Sequence, residues 1–162
     1  MSKLVLLGGP TGVGKSTTLR MMERSLPKLA LLDADDVWRV SDDLAMEENR
    51  NIAISNATRV LQGYVEARCE TAILAWVFAR SLLYEPIIAG LEDTFDAVHQ
   101  LYLVATPQAL RQRLAARDSL NRLDYSISRL ELIRSLPYPK IDTTDLSPAE
   151  VADGVLEHVR DL

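Results

Sequence analysis

The stretch Gly9-Pro10-Thr11-Gly12-Val13-Gly14-Lys15-Ser16 decides how this chain is read. Its spacing is G-x-x-x-x-G-K-[ST], the Walker A pattern of a phosphate-binding loop. Glycine lets the backbone wrap closely around a polyphosphate, so that successive N–H groups face its oxygens. Gly9, Pro10, Thr11, Gly12, Val13 and Gly14 form that cradle, and Thr17 continues it into the first turn of a helix. Lys15 reaches the β- and γ-phosphates as a mobile point charge, and Ser16 offers a hydroxyl to Mg²⁺. The helix that starts here turns its positive N-terminal end toward the anion.

The flanks supply what the motif requires, a strand before it and a helix after it. Leu4-Val5-Leu6-Leu7 is a short apolar run, read as the middle of a buried strand over about Lys3–Gly8. Leu19, Met22 and Leu26 then recur at helical spacing, and Pro27 ends the segment. Further along, strand-like apolar runs alternate with longer helical patterns, which predicts an α/β fold with a mainly parallel sheet. The second strand is Leu29-Ala30-Leu31-Leu32 ending at Asp33, the third Thr71–Phe78, the fourth about Gln100–Ala105 and the fifth Lys140–Thr143. Residues Asp43–Cys69 are largely helical in pattern, and Pro86 is read as the first turn of another helix. Thr106-Pro107 reads as N-cap and first residue of a helix running toward Arg117. A polar segment follows to Tyr125, and Ser126–Leu136 is helical again. Ser147-Pro148-Ala149-Glu150 is a capping box opening the last helix.

With 162 residues the chain suits one domain. A net charge of −5 disfavours non-specific binding to nucleic acid or anionic membranes. Cys69 stands alone, so neither an intrachain disulfide nor a cysteine-held zinc is expected, and a reducing cytoplasm is the simplest compartment. The N-terminal apolar run has no basic segment before it and enters the loop at once, so it is read as a strand rather than a signal peptide. No apolar stretch is long enough to span a membrane.

Two groups of residues extend the chemistry. Asp33-Ala34-Asp35-Asp36 falls where the second strand ends, and ligands of open parallel sheets gather beyond strand carboxyl ends. If the strand conformation continues, Asp33 and Asp35 point to the same side. One carboxylate can then hold Mg²⁺ through water while the other binds or deprotonates an acceptor hydroxyl. The bland alternative is a solvated acidic turn with Asp36 as a helix N-cap. Arg113 and Arg117 are four apart, which places them on one helix face. Trp38, Tyr64 and Trp76 are candidates to contact an acceptor ring, though aromatics at such places more often belong to the core, and His99 and His158 are given no role.

In the order of these features the chain resembles the small P-loop kinases of the adenylate, shikimate, gluconate and adenylylsulfate kinase type, over essentially its whole length. The resemblance implies a five-stranded parallel sheet in the order 2-3-1-4-5 flanked by helices. It also implies a mobile lid at about 113–125 and an acceptor-binding helical region at about 36–70. It places Asp33 nearer the metal and Asp35 nearer the acceptor. In adenylylsulfate kinases an arginine stands at the position of Trp38; here it comes one residue later, at Arg39. The third strand ends without the acid that many P-loop proteins carry there, which leaves the metal to Ser16 and Asp33. By the same resemblance Arg80, after that strand, grips the acceptor together with Arg39. Arg113 stacks on adenine, and Arg117 approaches the phosphates, where a closing arginine stabilises the charge that develops on the γ-phosphoryl group. Arg122 is a candidate to reach in from the lid. The expected function is transfer of the ATP γ-phosphate to a hydroxyl or phosphate of a small molecule, by a monomer or homodimer. The alternatives are a regulatory ATP-binding protein or slow ATPase, and, less favoured by the charge, a kinase of nucleic-acid ends.

Overall fold

Leu4, Val5, Leu6 and Leu7 have no exposed surface because the strand they form, β1 (Lys3–Gly8), lies in the middle of the sheet. Each such side chain contributes roughly 1.5–3 kcal/mol relative to exposure. The computed structural model describes residues 2–38 and 45–162. Within them β1 pairs in parallel with β3 (Thr71–Ala75) on one side and β4 (Ala97–Val104) on the other. β2 (Leu29–Asp33) adds to β3, and β5 (Lys140–Asp142) adds to β4. The resulting sheet is all parallel, in the order β2-β3-β1-β4-β5, as the resemblance implied.

Among the described residues six α-helices flank the sheet. α1 (Lys15–Met22) packs on α6 (Pro148–Arg160), α2 (Met46–Glu66) on α3 (Ser81–Ala89), and α4 (Pro107–Ala115) on α5 (Leu123–Ser135). Two helices begin as their sequences predict. The Thr106 hydroxyl accepts from the Ala109 N–H (3.2 Å) ahead of Pro107. At α6 Ser147 accepts from Glu150 N–H (3.3 Å), while the Glu150 carboxylate accepts from Ser147 N–H (2.8 Å). Val151, Val155 and Val159 then recur every four residues and are buried.

Several boundaries differ from the sequence reading, among them the start of α5 at Leu123 rather than Ser126. β3 stops at Ala75, not Phe78, because its neighbour β1 ends one residue after the Leu7–Ala75 pair and leaves the following backbone no ladder to join. Phe78 then takes a positive φ of 37° and turns the chain toward α3. β4 begins earlier than expected, at Ala97, with half-buried Val98 and His99 in register with Leu4 and Val5. Pro86 sits inside α3 rather than in its first turn. The backbone bond it cannot make would go to the carbonyl of Leu82, an exposed residue one turn earlier.

Where β1 enters the loop, the backbone runs against a neighbouring ring. A methyl group on Gly8 would lie 2.2 Å from the ring of Tyr102 on β4. That ring is fully buried, and its hydroxyl lies 2.7 Å from Gln100 Oε1 and 3.1 Å from the carbonyl of Phe78.

Candidate functional site

The loop 9–16 joins β1 to α1 at the carboxyl edge of the sheet. Gly14, the N-cap of α1, has φ 113°, a conformation that favours glycine, and no side chain caps the helix. The first N–H groups of α1 are therefore not taken by a cap and are available to an anion. The Lys15 side chain folds back over the loop, donating to the carbonyls of Gly9 (2.8 Å) and Pro10 (3.1 Å). Burial lowers its pKa to about 8, against the opposing pull of Asp35 and Asp33. Ser126 of α5, fully buried, donates its hydroxyl to the Thr11 carbonyl at 2.7 Å and so ties α5 to the loop.

The acidic residues take their places through a turn, not through strand alternation. β2 ends at Asp33, and Ala34–Asp36 forms one 3₁₀ turn capped by Asp33, whose carboxylate accepts from Asp35 N–H at 3.1 Å. This overturns the alternation argument. The other oxygen of Asp33 accepts from the Ser16 hydroxyl at 2.6 Å. Asp35, turned away from the strand direction, lines two cavities, one beside Ser16 and Asp33 and one beside Thr11 and Lys15. The indole N–H of Trp38 donates to Asp35 Oδ1 at 3.2 Å. Asp36 ends the turn, and the N-cap of α2 is Ala45. Among the described residues no group of three or more His, Cys, Asp and Glu is assembled to hold a metal. The Ser16–Asp33 pair is a hard-oxygen donor set that fits Mg²⁺, which keeps several waters and shares phosphate oxygens rather than filling a protein cage.

Arg113 reaches from α4 to the back of the loop. Its guanidinium donates to the Thr143 hydroxyl (2.9 Å) and carbonyl (2.5 Å) and, at 3.3 Å, to the Val13 carbonyl. Its edges are occupied, but its planar faces remain suited to stacking. With Gly12, Thr17, Thr143 and Leu146 it lines a cavity of about 210 Å³ next to the loop. Arg117 does not share the α4 face with it. The helix ends at Ala115, and Arg117 lies in the following turn. It still lines the same cavity, with Nη2 3.5 Å from the Thr17 hydroxyl. Arg122, in a 3₁₀ turn before α5, lines the cavity that holds Lys15 and Asp35.

Beyond Asp35 opens a larger cavity, about 540 Å³, that the sequence did not announce. Trp38 and Trp76 meet edge to face there, ring centroids 6.2 Å apart at 67°. Arg80 stands at its rim, at the N-terminus of α3. Asn49 and Arg50 of α2 and Tyr125 and Arg129 of α5 complete its polar lining. Trp38 and Trp76 thus belong to a cavity wall as well as to the core, whereas Tyr64 packs at the core edge and donates to the Leu31 carbonyl at 3.4 Å. The only available signal for Tyr125 and Arg129 was their i,i+4 spacing, and Arg129 does lie 4.4 Å over the Tyr125 ring. Arg39 lies outside the described residues.

No protein-family model matches the sequence, and no curated protein matches it. Solved structures do. The tunicamycin resistance protein of Deinococcus radiodurans aligns with a TM-score of 0.76 at 21% identity, covering 98% of this chain and 96% of that one. A gluconokinase from Sinorhizobium meliloti aligns with a TM-score of 0.72 at 13% identity, covering 98% and 92%. The Mycobacterium tuberculosis APS kinase, in complex with AMPPNP and APS, aligns with a TM-score of 0.66 at 16% identity, covering 98% of each chain. The chain has the fold of the small P-loop kinases.

Proposed function

We propose that the protein is a Mg²⁺-dependent phosphotransferase that moves the γ-phosphoryl group of ATP to a hydroxyl of a small molecule. One observation carries the reading. Trp38, Trp76, Val77 and Tyr125 line both the cavity of Lys15 and Asp35 and the 540 Å³ cavity beyond it. A regulatory ATP-binding protein needs a loop for phosphates; it does not need a second chamber continuous with the place where the γ-phosphate would lie.

In this reading the loop N–H groups and the N-terminus of α1 hold the phosphates, Lys15 exchanges the carbonyls of Gly9 and Pro10 for phosphate oxygens, and Arg113 offers its face to the base. Ser16 and Asp33 would hold Mg²⁺, and the ion would supply neutralisation of phosphate charge. The acceptor oxygen forms a bond to the γ-phosphorus as the bond to the bridging oxygen breaks, so that ADP leaves. The hydroxyl proton passes to the Asp35 carboxylate. A loose transition state asks little base strength, so Asp35 acts mainly by orienting the hydroxyl, itself steadied by the Trp38 indole. Trp38 and the first turns of α2 supply one part of the acceptor wall, and Arg80 stands at its rim. Segment 113–125 serves as the lid that carries Arg117 and Arg122 over the phosphates.

The test is ADP release measured across a panel of hydroxylated small molecules. Turnover stimulated by one chemical class is expected. Tight ATP binding with no stimulation by any member would favour the regulatory alternative instead.

A further inference from the structure

Resting on that reading, we infer that the acceptor is a hydroxylated anion built on a flat ring. The walls of the 540 Å³ cavity speak for the ring. The volume falls within the roughly 300–1,000 Å³ usual for small-molecule sites. Trp38 and Trp76 make a corner at 67°, backed by Phe78, whose ring stands 6.0 Å behind Trp76. A flat ring seated in that corner lies along one indole and meets the other edge-on, the two geometries that aromatic pairs prefer. Met46 (88% exposed) and Leu82 (41% exposed) also line the cavity and leave apolar surface bare, which a ligand's ring would cover.

The charges speak for the anion. Arg50, Arg80 and Arg129 all line this cavity, and among the described residues no Asp or Glu does. The chain as a whole carries −5, so the described lining opposes the sign of the molecule. Arg50 is shared with Glu47 at 3.6 Å, and Arg129 rests on the Tyr125 ring. The Arg80 guanidinium makes no hydrogen bond or ion pair among the described residues, and the residue stands at the N-cap of α3. That helix has no acidic residue in its first turn and no side-chain cap, so its positive end adds to the guanidinium. A carboxylate or a phosphate on the ligand fits this rim equally, as both take a guanidinium in bidentate fashion.

The two tryptophans of the chain both line the cavity, so intrinsic fluorescence reports its occupancy without any turnover. The probes are nucleoside 5′-monophosphates against their nucleosides, hydroxylated aromatic carboxylates against their amides, and the ring-free acids glycerate and gluconate. They are titrated with and without saturating Mg²⁺-ADP in the loop. Ring-bearing anions are expected to quench at concentrations roughly ten- to hundredfold below their neutral partners. Arg80→Gln should erase that preference and leave the neutral members unchanged. Comparison of the first two arms tells which anion is preferred. Equal affinity for neutral partners, equal affinity for ring-free acids, or no quench by any member overturns the proposal. Selective quenching without ATP-dependent turnover would remove the kinase reading and keep the ligand class; turnover that prefers neutral acceptors would do the reverse.

Discussion

Lys15 bonds to the loop it belongs to, and its ammonium is therefore less basic than usual, with a pKa of about 8 set by burial. At pH 8 about half of the empty sites carry it unprotonated. Phosphate beside it favours the charged form, so its pKa rises on binding and the site takes up protons. Calorimetry of Mg²⁺-ATP binding in buffers of different ionisation enthalpy should show uptake at pH 8 of up to about half a proton, which vanishes in Lys15→Arg because the guanidinium stays charged. Identical proton counts in the two proteins would remove Lys15 from the phosphate site. Asp35 calls for a different substitution. Asparagine keeps an oxygen for the Trp38 indole and loses only the charge. Asp35→Asn should lower acceptor phosphorylation by roughly a hundredfold or more while ATP affinity stays within a few-fold. Full activity of that variant with the true acceptor would show that the carboxylate is not needed there.

Among the elements, β1 and β4 meet closely at Gly8 and Tyr102. Gly8→Ala pushes a methyl into the Tyr102 ring, and overpacking of this kind costs about 1–3 kcal/mol. Tyr102→Leu in the same chain should recover part of the loss, and a double-mutant cycle in urea that shows simple additivity would contradict the contact. The segment proposed as a lid should behave differently along its length. Arg113 is already bonded to Val13 and Thr143, whereas the chain between α4 and α5 forms only short turns. Hydrogen exchange with an ATP analogue should slow across residues 116–125 and change little at 107–113; no slowing in 116–125 would exclude a nucleotide-gated lid. The same contrast explains what the sequence could and could not reveal. Strand, loop and helix at 3–22, the Thr106 cap and the Ser147 box were legible because each rests on residues a few positions apart. The end of β3 was not, since it depends on where β1 stops. The turn that aims Asp35 looked like continued strand, because Asp33 caps it through a carboxylate rather than through a glycine or proline signal. The large cavity gathers residues from positions 38, 46–50, 76–83 and 125–129, and no local pattern joins them.

Across the whole molecule, the parallel sheet brings the loop, the acidic turn and the rim of α3 to one edge, while the order of strands sets β5 and α4 behind the loop. Arg113 fastens that far side, linking α4 to the end of β5 and to Val13. No described helix is long and apolar enough to cross a membrane. The bond from Ser126 to the Thr11 carbonyl has a reach beyond its own length. It joins the phosphate loop to the helix that begins with Tyr125 in its first turn and presents Arg129 one turn later. On the proposed reading, a loop that settles around phosphate would bias the helix that walls the other chamber, and the two ligands would exchange free energy through one hydroxyl. Such an exchange is reciprocal: whatever factor nucleotide lends to acceptor affinity, acceptor returns to nucleotide affinity. Ser126→Ala should keep both chambers and bring that common factor toward one, so that each ligand binds as though the other were absent.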